Sequence, residues 1–183
     1  VAPLYPIARA FKAAGNEVVC IVGARSRDLL IYEREMETVC DRVLVTTDDG
    51  SKGMKGLVTT ALRNELEQNT AGLVVTVGPA IMMKSVSETT RPFGVKTVVS
   101  LNPIMVDGSG MCGGCRVKGG GKIKFACVDG PDFDGHEVDF DDLMFRLKRY
   151  RESEQQASAR FEEGCRMRGV AEPTAAPIPG AAR

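Results

Sequence analysis

Three cysteines and one aspartate are the residues in this chain best placed to do chemistry. In MVDGSGMCGGCRV, residues 105 to 117, Cys112 and Cys115 stand with two residues between them, and Cys127 follows in KFACVDGPDFDG, residues 124 to 135. Asp107 precedes Cys112, so the spacing reads D-x4-C-x2-C-x11-C. Thiolates on loops full of glycine point to a disulfide knot, a zinc site or an iron-sulfur cluster.

The spacing follows the ferredoxin ligand order C-x4-C-x2-C…C with aspartate in the first slot. A 2Fe-2S cluster needs four anionic ligands in a tight loop. Glycines at 108, 110, 113 and 114 let backbone N–H groups turn toward its sulfurs. Zinc usually pairs two C-x2-C knuckles or adds histidines, whereas the single histidine, His136, lies beyond Cys127. Disulfides fit worst, because three cysteines leave an odd thiol. Asp107 taken alone also reads as a turn former that caps its own loop. Cys20 and Cys40 read as small hydrophobes, and Cys165 falls in a polar stretch.

The elements that must position this loop are legible upstream. EVVCIVGAR (17 to 25), DRVLVTTDDGS (41 to 51), AGLVVTVGP (71 to 79) and VKTVVSL (95 to 101) read as strands. Helical patterns lie between them at 27 to 40, 56 to 68 and 80 to 90, the first with Leu30, Ile31, Met36 and Val39 along one stripe. Such alternation predicts an α/β fold: βαβ units, a parallel sheet and helices on both faces. Ligands of these sheets collect at the carboxyl ends of the strands, where GARS, TTDDGS and VGP all fall, and this marks a nucleotide site. Arg25 and Arg27 suit a 2'-phosphate, whereas Asp48 and Asp49 would repel one and accept ribose hydroxyls; a solvated helix start and a simple turn are the plainer readings.

VAPLYPIARAFKAAGN reads as an opening helix, with Pro3 near its start and Gly15 at its stop. A parallel sheet led by a helix implies a strand and a glycine-rich turn upstream. The expected organisation is therefore a nucleotide-binding α/β domain over 1–101 and an iron-sulfur β-hairpin subdomain over 102–136 that turns at Gly119 to Gly121. A helix over 137–150 follows, with Phe140, Leu143, Met144 and Leu147 on one face, and then a polar, disordered tail over 151–183.

The chain has 183 residues, 43% of them apolar, and its 24 basic residues balance 24 acidic ones, so the footprint of a nucleic-acid binder is missing. Apolar runs such as LVVTV, 73 to 77, are far short of a membrane span, and no export leader is visible. A cytoplasmic location is the expectation.

Taken together, VAPLYPIARAFKAAGNEV, GARSRDLLI, TTDDGS, VGPAIMM and SLNPIMVDGSGMCGGCRV…KFACVDGPDFDGHEVDFDDL resemble the alpha (small) subunits of NADH-dependent ferredoxin:NADP+ oxidoreductase, over roughly residues 1 to 148. Sulfide dehydrogenase small subunits and, more distantly, dihydroorotate dehydrogenase electron-transfer subunits are relatives. The resemblance implies a ferredoxin-reductase-type fold and a 2Fe-2S cluster on Asp107, Cys112, Cys115 and Cys127. The dihydroorotate branch has a cysteine at the aspartate position, which sets this chain nearer the ferredoxin branch. NAD(H) is implied near Val1, Ala2 and Pro3 for the pyrophosphate, near Gly23, Ala24, Arg25, Thr47, Asp48, Asp49 and Gly50 for the adenosine, and near Gly78 and Pro79 for the nicotinamide. Val77 replaces the usual cysteine before that last pair. FAD would be bound mainly by a domain outside this sequence.

Nicotinamide gives two electrons as hydride and a 2Fe-2S cluster takes one, so a flavin must stand between them. The implied protein is an oxidoreductase subunit whose partner is a larger flavin and iron-sulfur subunit, with ferredoxin reached through the complex. These residues alone are expected not to turn over. The competing reading is a non-catalytic nucleotide-binding module with a zinc-stapled hairpin.

Overall fold

Alternation along β1 (Val19–Ala24) sets the layering. Cys20 and Val22 are buried with Ala8 and Met36, so one face packs on α1 (Leu4–Ala13) and α2 (Glu33–Val39). Ile21 points the other way, into a cluster with Val58, Leu62 and Leu66 of α3 (Val58–Gln68), Val74 and Val86. Helices thus cover both faces, as the βαβ pattern predicts. Gly23 lies on the α3 side. A Cβ there would come within 2.3 Å of Val58 Cγ1, so only glycine lets α3 sit this close.

The computed structural model describes residues 1–167. In chain order α1 stops just ahead of Gly15, β1 runs into a short turn at Arg27–Leu29, and α2 leads to β2 (Arg42–Thr47) and β3 (Met54–Lys55). After α3 come β4 (Leu73–Val77), α4 (Ala80–Thr90) and β5 (Lys96–Ser100). β1, β2 and β3 are parallel in that order, with Val22 opposite Val45. β4 and β5 are also parallel, with Val75 opposite Val98. Among the described residues β1 and β4 each end their sheet, bonded on one side only.

The helix expected over 27 to 40 is two pieces. Leu30 is extended, and Tyr32 takes a left-handed φ of 61° just ahead of α2, its ring 6.2 Å from that of Tyr5. This break lets Leu30 reach the core beside Met36 and leaves Ile31 exposed, against the single stripe expected.

The glycine-rich segment builds the expected hairpin, β6 (Arg116–Gly119) and β7 (Lys122–Phe125). Its turn residues Gly120 and Gly121 both have positive φ, 56° and 73°, as a tight two-residue hairpin turn demands. Two elements of this segment were not expected. α5 (Ala126–Asp129) is a single helical turn carrying Cys127, and β8 (Asp132–Asp134) adds antiparallel to β5, with Phe133 opposite Val99. The peptide before Pro131 is cis. Helix α6 (Phe140–Leu147) buries Phe140 and Leu143, on the face foreseen.

Val1–Met144 is one compact unit, and a second begins at Phe145. Residues 151 to 167 correct the expected disorder: Arg151–Met167 is a helix, α7. Glutamate, glutamine, alanine and arginine dominate it, and their helix propensity prevails over the composition argument for disorder. The rest of the expected tail, 168 to 183, lies outside the described residues.

Candidate iron-sulfur and nucleotide site

The loop leaving β5 runs without regular structure from Leu101 to Cys115 and delivers the carboxylate and two thiols. Cys115 immediately precedes β6 and Cys127 lies just after β7, so pairing of the two strands draws these cysteines together across the hairpin base. Their sulfurs are 3.2 Å apart, and Ala126 N–H donates to the Cys115 carbonyl at 3.2 Å. Asp107 and Cys112 form the other pair, in hydrogen-bonding contact through the thiol. The first pair is withdrawn, with Cys115 only 2% exposed; the second pair is exposed. Among the described residues no group of three His, Cys, Asp or Glu side chains stands ready-made for a metal ion. The four residues are therefore brought together as two pairs.

Backbone donors serve every member of the set. Gly114 N–H points at Cys112 Sγ at 3.3 Å, and Cys127 N–H at Cys115 Sγ at 3.5 Å. Gly110 N–H serves the Cys127 sulfur. Ser109 N–H donates to Asp107 Oδ1 at 2.8 Å, and the Cys112 N–H adds to it. Four groups that carry negative charge when deprotonated each receive at least one N–H, the environment that thiolate and carboxylate ligands of an iron-sulfur centre require. The Ser109 N–H holds the Asp107 carboxyl below its usual range, with the Cys112 contacts acting in the same direction. The neighbouring Cys115 thiol and then burial push Cys127 up. Gly110 is the tightest point of the loop: it has φ +84°, and a Cβ there would lie 2.8 Å from Val128 Cγ2. The donor set and its cradle fit an iron-sulfur cluster.

The expected nucleotide residues fall at strand ends. Gly23 and Ala24 close β1, Arg25 follows, and Thr47 closes β2. Asp48 N–H donates to the Ala24 carbonyl and Asp49 N–H to that of Arg25, which stitches the two turns together. Ser51, through its hydroxyl first and its N–H second, lowers the Asp49 carboxyl below its usual range, and the Ser51 hydroxyl in turn accepts Arg27 N–H at 2.8 Å. Thr47 is fully buried with its hydroxyl bonded to the Lys52 carbonyl, so its side chain locks the loop that ends in Gly50 and Ser51. Asp48 and Arg25 remain exposed. Gly78 and Pro79 lie between β4 and α4, with Pro79 at the helix N-cap. Val1, Ala2 and Pro3 lead into α1, the Val1 carbonyl accepting Leu4 N–H. The turns at 23–25 and 47–50 are thus joined by hydrogen bonds, whereas 1–3 and 78–79 stand at other element ends.

Cys20 and Cys40 behave as core residues. Burial first, then the Cys40 neighbour, pushes the Cys20 thiol up to about 12, the state of an inert buried thiol.

Comparison with known proteins agrees with this division of labour. Residues 1–88 match the oxidoreductase NAD-binding domain, and residues 102–139 match the iron-sulfur cluster binding domain of dihydroorotate dehydrogenase B. The chain is 53% identical over 161 residues to a dihydroorotate dehydrogenase B (NAD(+)) electron transfer subunit homolog of Thermotoga maritima, a match covering 88% of this chain and 57% of that protein. It is 48% identical over 166 residues to an uncharacterized protein encoded in the adh 3' region of Clostridium beijerinckii, covering 89% of this chain and 56% of the relative. A chain of the solved NADH-dependent reduced ferredoxin-NADP oxidoreductase, a structure bearing on flavin-based electron bifurcation, superposes with a TM-score of 0.80 at 53% identity. That likeness covers 87% of this chain and 58% of the other. The chain therefore spans little more than half the length of these relatives.

Fold and matched domains define the class of fold, a ferredoxin-reductase-type NAD-binding domain followed by an iron-sulfur cluster binding domain. More particularly, the second domain resembles the iron-sulfur cluster binding domain of dihydroorotate dehydrogenase B.

Proposed function

We propose that this chain is the NAD-binding and iron-sulfur part of an electron-transfer subunit that passes electrons between NAD(H), a flavin and a 2Fe-2S cluster. The observation that carries the reading is the cradle, in which Asp107, Cys112, Cys115 and Cys127 each accept a backbone N–H within one loop and hairpin base. Asp107 and Cys112 would hold the exposed side of the cluster, and Cys115 and Cys127 the withdrawn side. When bound, the cluster supplies one-electron exchange. The protein's part is to bring backbone N–H groups to the ligands, to screen the Cys115 side from water, and to leave the Asp107 side open for exchange with a partner.

NAD(H) is the nucleotide, with its adenosine end at the stitched turns 23–25 and 47–50, its pyrophosphate near residues 1–3 and its nicotinamide toward Gly78 and Pro79. With Asp49 engaged by Ser51, Asp48 is the carboxylate left to accept ribose hydroxyls. One further parallel strand ahead of α1 would bond both β1 and β4 and join the two sheets. FAD sits mainly on a domain outside this sequence, and the partner is a larger flavin and iron-sulfur subunit in a cytoplasmic heterodimer from which ferredoxin is reached. No described helix is long and apolar enough to cross a membrane.

The test is stepwise reduction in the absence of air. NADH added to the cluster-loaded chain should leave its visible absorption unbleached until a flavin-bearing subunit is supplied, whereas dithionite should bleach it directly. Turnover of an acceptor by these residues with NADH alone would contradict the requirement for a flavin.

A further inference from the structure

The segment from Pro131 to Asp142 belongs neither to the nucleotide turns nor to the thiol cradle, yet it bonds to the elements that carry both. Toward the sheet, Leu101 N–H donates to the Pro131 carbonyl, β8 pairs with β5, and Gly135 N–H donates to the Thr97 carbonyl at 2.8 Å. Toward the hairpin, Gly120 N–H donates to the Glu137 carbonyl, Val138 bridges Gly119, and Asp139 N–H donates to the Lys118 carbonyl at 2.9 Å. Two successive carboxylates repeat the division. Asp141 pairs with Lys84 of α4 and Asp142 with Lys118 of β6, each at 2.8 Å.

Phe133 and Phe140 of this strap are buried, and between them His136, itself half-buried, reaches a pair of buried hydroxyls. Its Nε2 lies 3.0 Å from Thr90 Oγ1, which lies 2.6 Å from Thr97 Oγ1. Both threonines are completely buried, at 0% exposure. With the proton on Nε2, the ring donates to Thr90, whose hydroxyl lies within reach of Thr97 Oγ1 and of the Ser87 carbonyl at 3.1 Å, and Thr97 donates to the Val95 carbonyl at 3.1 Å, so every hydroxyl is satisfied. The His136 backbone is held as well: its N–H donates to Asp134 Oδ1 and its carbonyl accepts Arg91 Nη2, both at 2.8 Å. Gly135 fits beneath, where a Cβ would meet Ser87 Oγ at 2.4 Å and Val99 Cγ1 at 2.8 Å.

We propose that His136 is a positioning residue that fixes the cysteine-bearing hairpin on the nucleotide-binding sheet, by anchoring the strap between them to the Thr90–Thr97 pair. The role in cluster geometry rests on the iron-sulfur reading above; the mechanical role does not. Without the imidazole the stretch between Phe133 and Phe140, the two buried aromatic residues of the strap, loses its side-chain hydrogen bond to the core, and the Glu137, Val138 and Asp139 contacts that steady the far end of the hairpin loosen with it. Cys115 and Cys127, at the near end of the same two strands, then lose a fixed frame.

The experiment compares the wild-type protein with His136→Ala and His136→Gln by amide hydrogen exchange and, on cluster-loaded protein, by visible circular dichroism. In His136→Ala the amides of Gly120 and Asp139 should exchange roughly tenfold faster or more, because a buried hydrogen-bonded anchor has gone, while those of Ile21 and Val45 keep their protection. The visible dichroism of the cluster should change in shape. His136→Gln, whose amide N–H donates at nearly the same place, should restore both. Unchanged hairpin exchange in His136→Ala overturns the proposal, and so does equal loss of protection in hairpin and β1 or β2, which would mean general destabilisation. A wild-type protein without iron or visible absorption would defeat the iron-sulfur reading instead, and the exchange comparison would still decide the mechanical role.

Discussion

Ser109, Gly110, Gly114 and Cys127 contribute backbone N–H groups, not side chains, and that is what separates the Asp107 loop from an ordinary turn. Asp107 was open to a second reading, as an aspartate that merely caps its own loop, and its bond to Ser109 N–H is of that type. The contact with Cys112 goes beyond it. A carboxylate is a harder, less electron-donating ligand than thiolate, so Asp107→Cys should retain the cluster with an altered reduction potential and spectrum. If Asp107→Ala left potential and spectrum unchanged, Asp107 would be no ligand. Gly110→Ala is the backbone counterpart. The left-handed φ costs a residue with a Cβ roughly 1–2 kcal/mol, and the added methyl would press on Val128. Iron retained per chain after desalting should fall, whereas Gly72→Ala, where a Cβ meets nothing within 4 Å, should change it little. The ligand set was legible in the sequence because its spacing is distinctive. The assignment of each donor was not, since any glycine in the run offers an equivalent N–H and only the folded path selects 110 and 114.

At the scale of elements, β1, β2, β4 and β5 with α3 and α4 follow directly from short β-branched runs separated by amphipathic stretches. Apart from α7, which intrinsic propensity decides, β8 and the break at Tyr32 are decided by a tertiary partner. β8 is three residues with two aspartates and forms because Phe133 packs opposite Val99 on β5; the break at Tyr32 coincides with its contact to Tyr5. Its signal, an apolar residue between two polar ones and bounded by Gly-Pro and glycine, was present but too short to weigh. Ionic ties between elements are also invisible in sequence. Arg42 of β2 forks onto the carboxylate of Glu65 on α3, and this lowers the Glu65 carboxyl below its ordinary 4.5. A lowered folded-state value means that the tie stabilises the fold above pH 4.5 and is lost as pH falls through that lowered value. Glu65→Gln should therefore reduce the melting temperature at pH 7 and flatten its fall on acidification. A wild-type melting profile that does not fall below pH 4.5, or a mutant with the wild-type slope, would deny the tie any role.

Across the whole molecule, the sequence separates an α/β nucleotide part from a small part too poor in apolar residues to hold itself together without a ligand or a neighbour. The fold supplies two supports for that small part: the strap from Pro131 to Asp142 and the four-group cradle. The matched families meet this division at residues 88 and 102. The nucleotide turns are the less legible half of the site. Their residue types also suit plain turns, and the strand ends place them without saying which atom meets a ligand. The central claim is that an iron-sulfur centre, not zinc, joins Asp107, Cys112, Cys115 and Cys127. Iron, sulfide and zinc analysis with low-temperature EPR on protein prepared without air tests it most directly. About two irons and two sulfides per chain, negligible zinc, and an EPR signal that appears on dithionite reduction are expected. A colourless protein holding one zinc and no sulfide would contradict it.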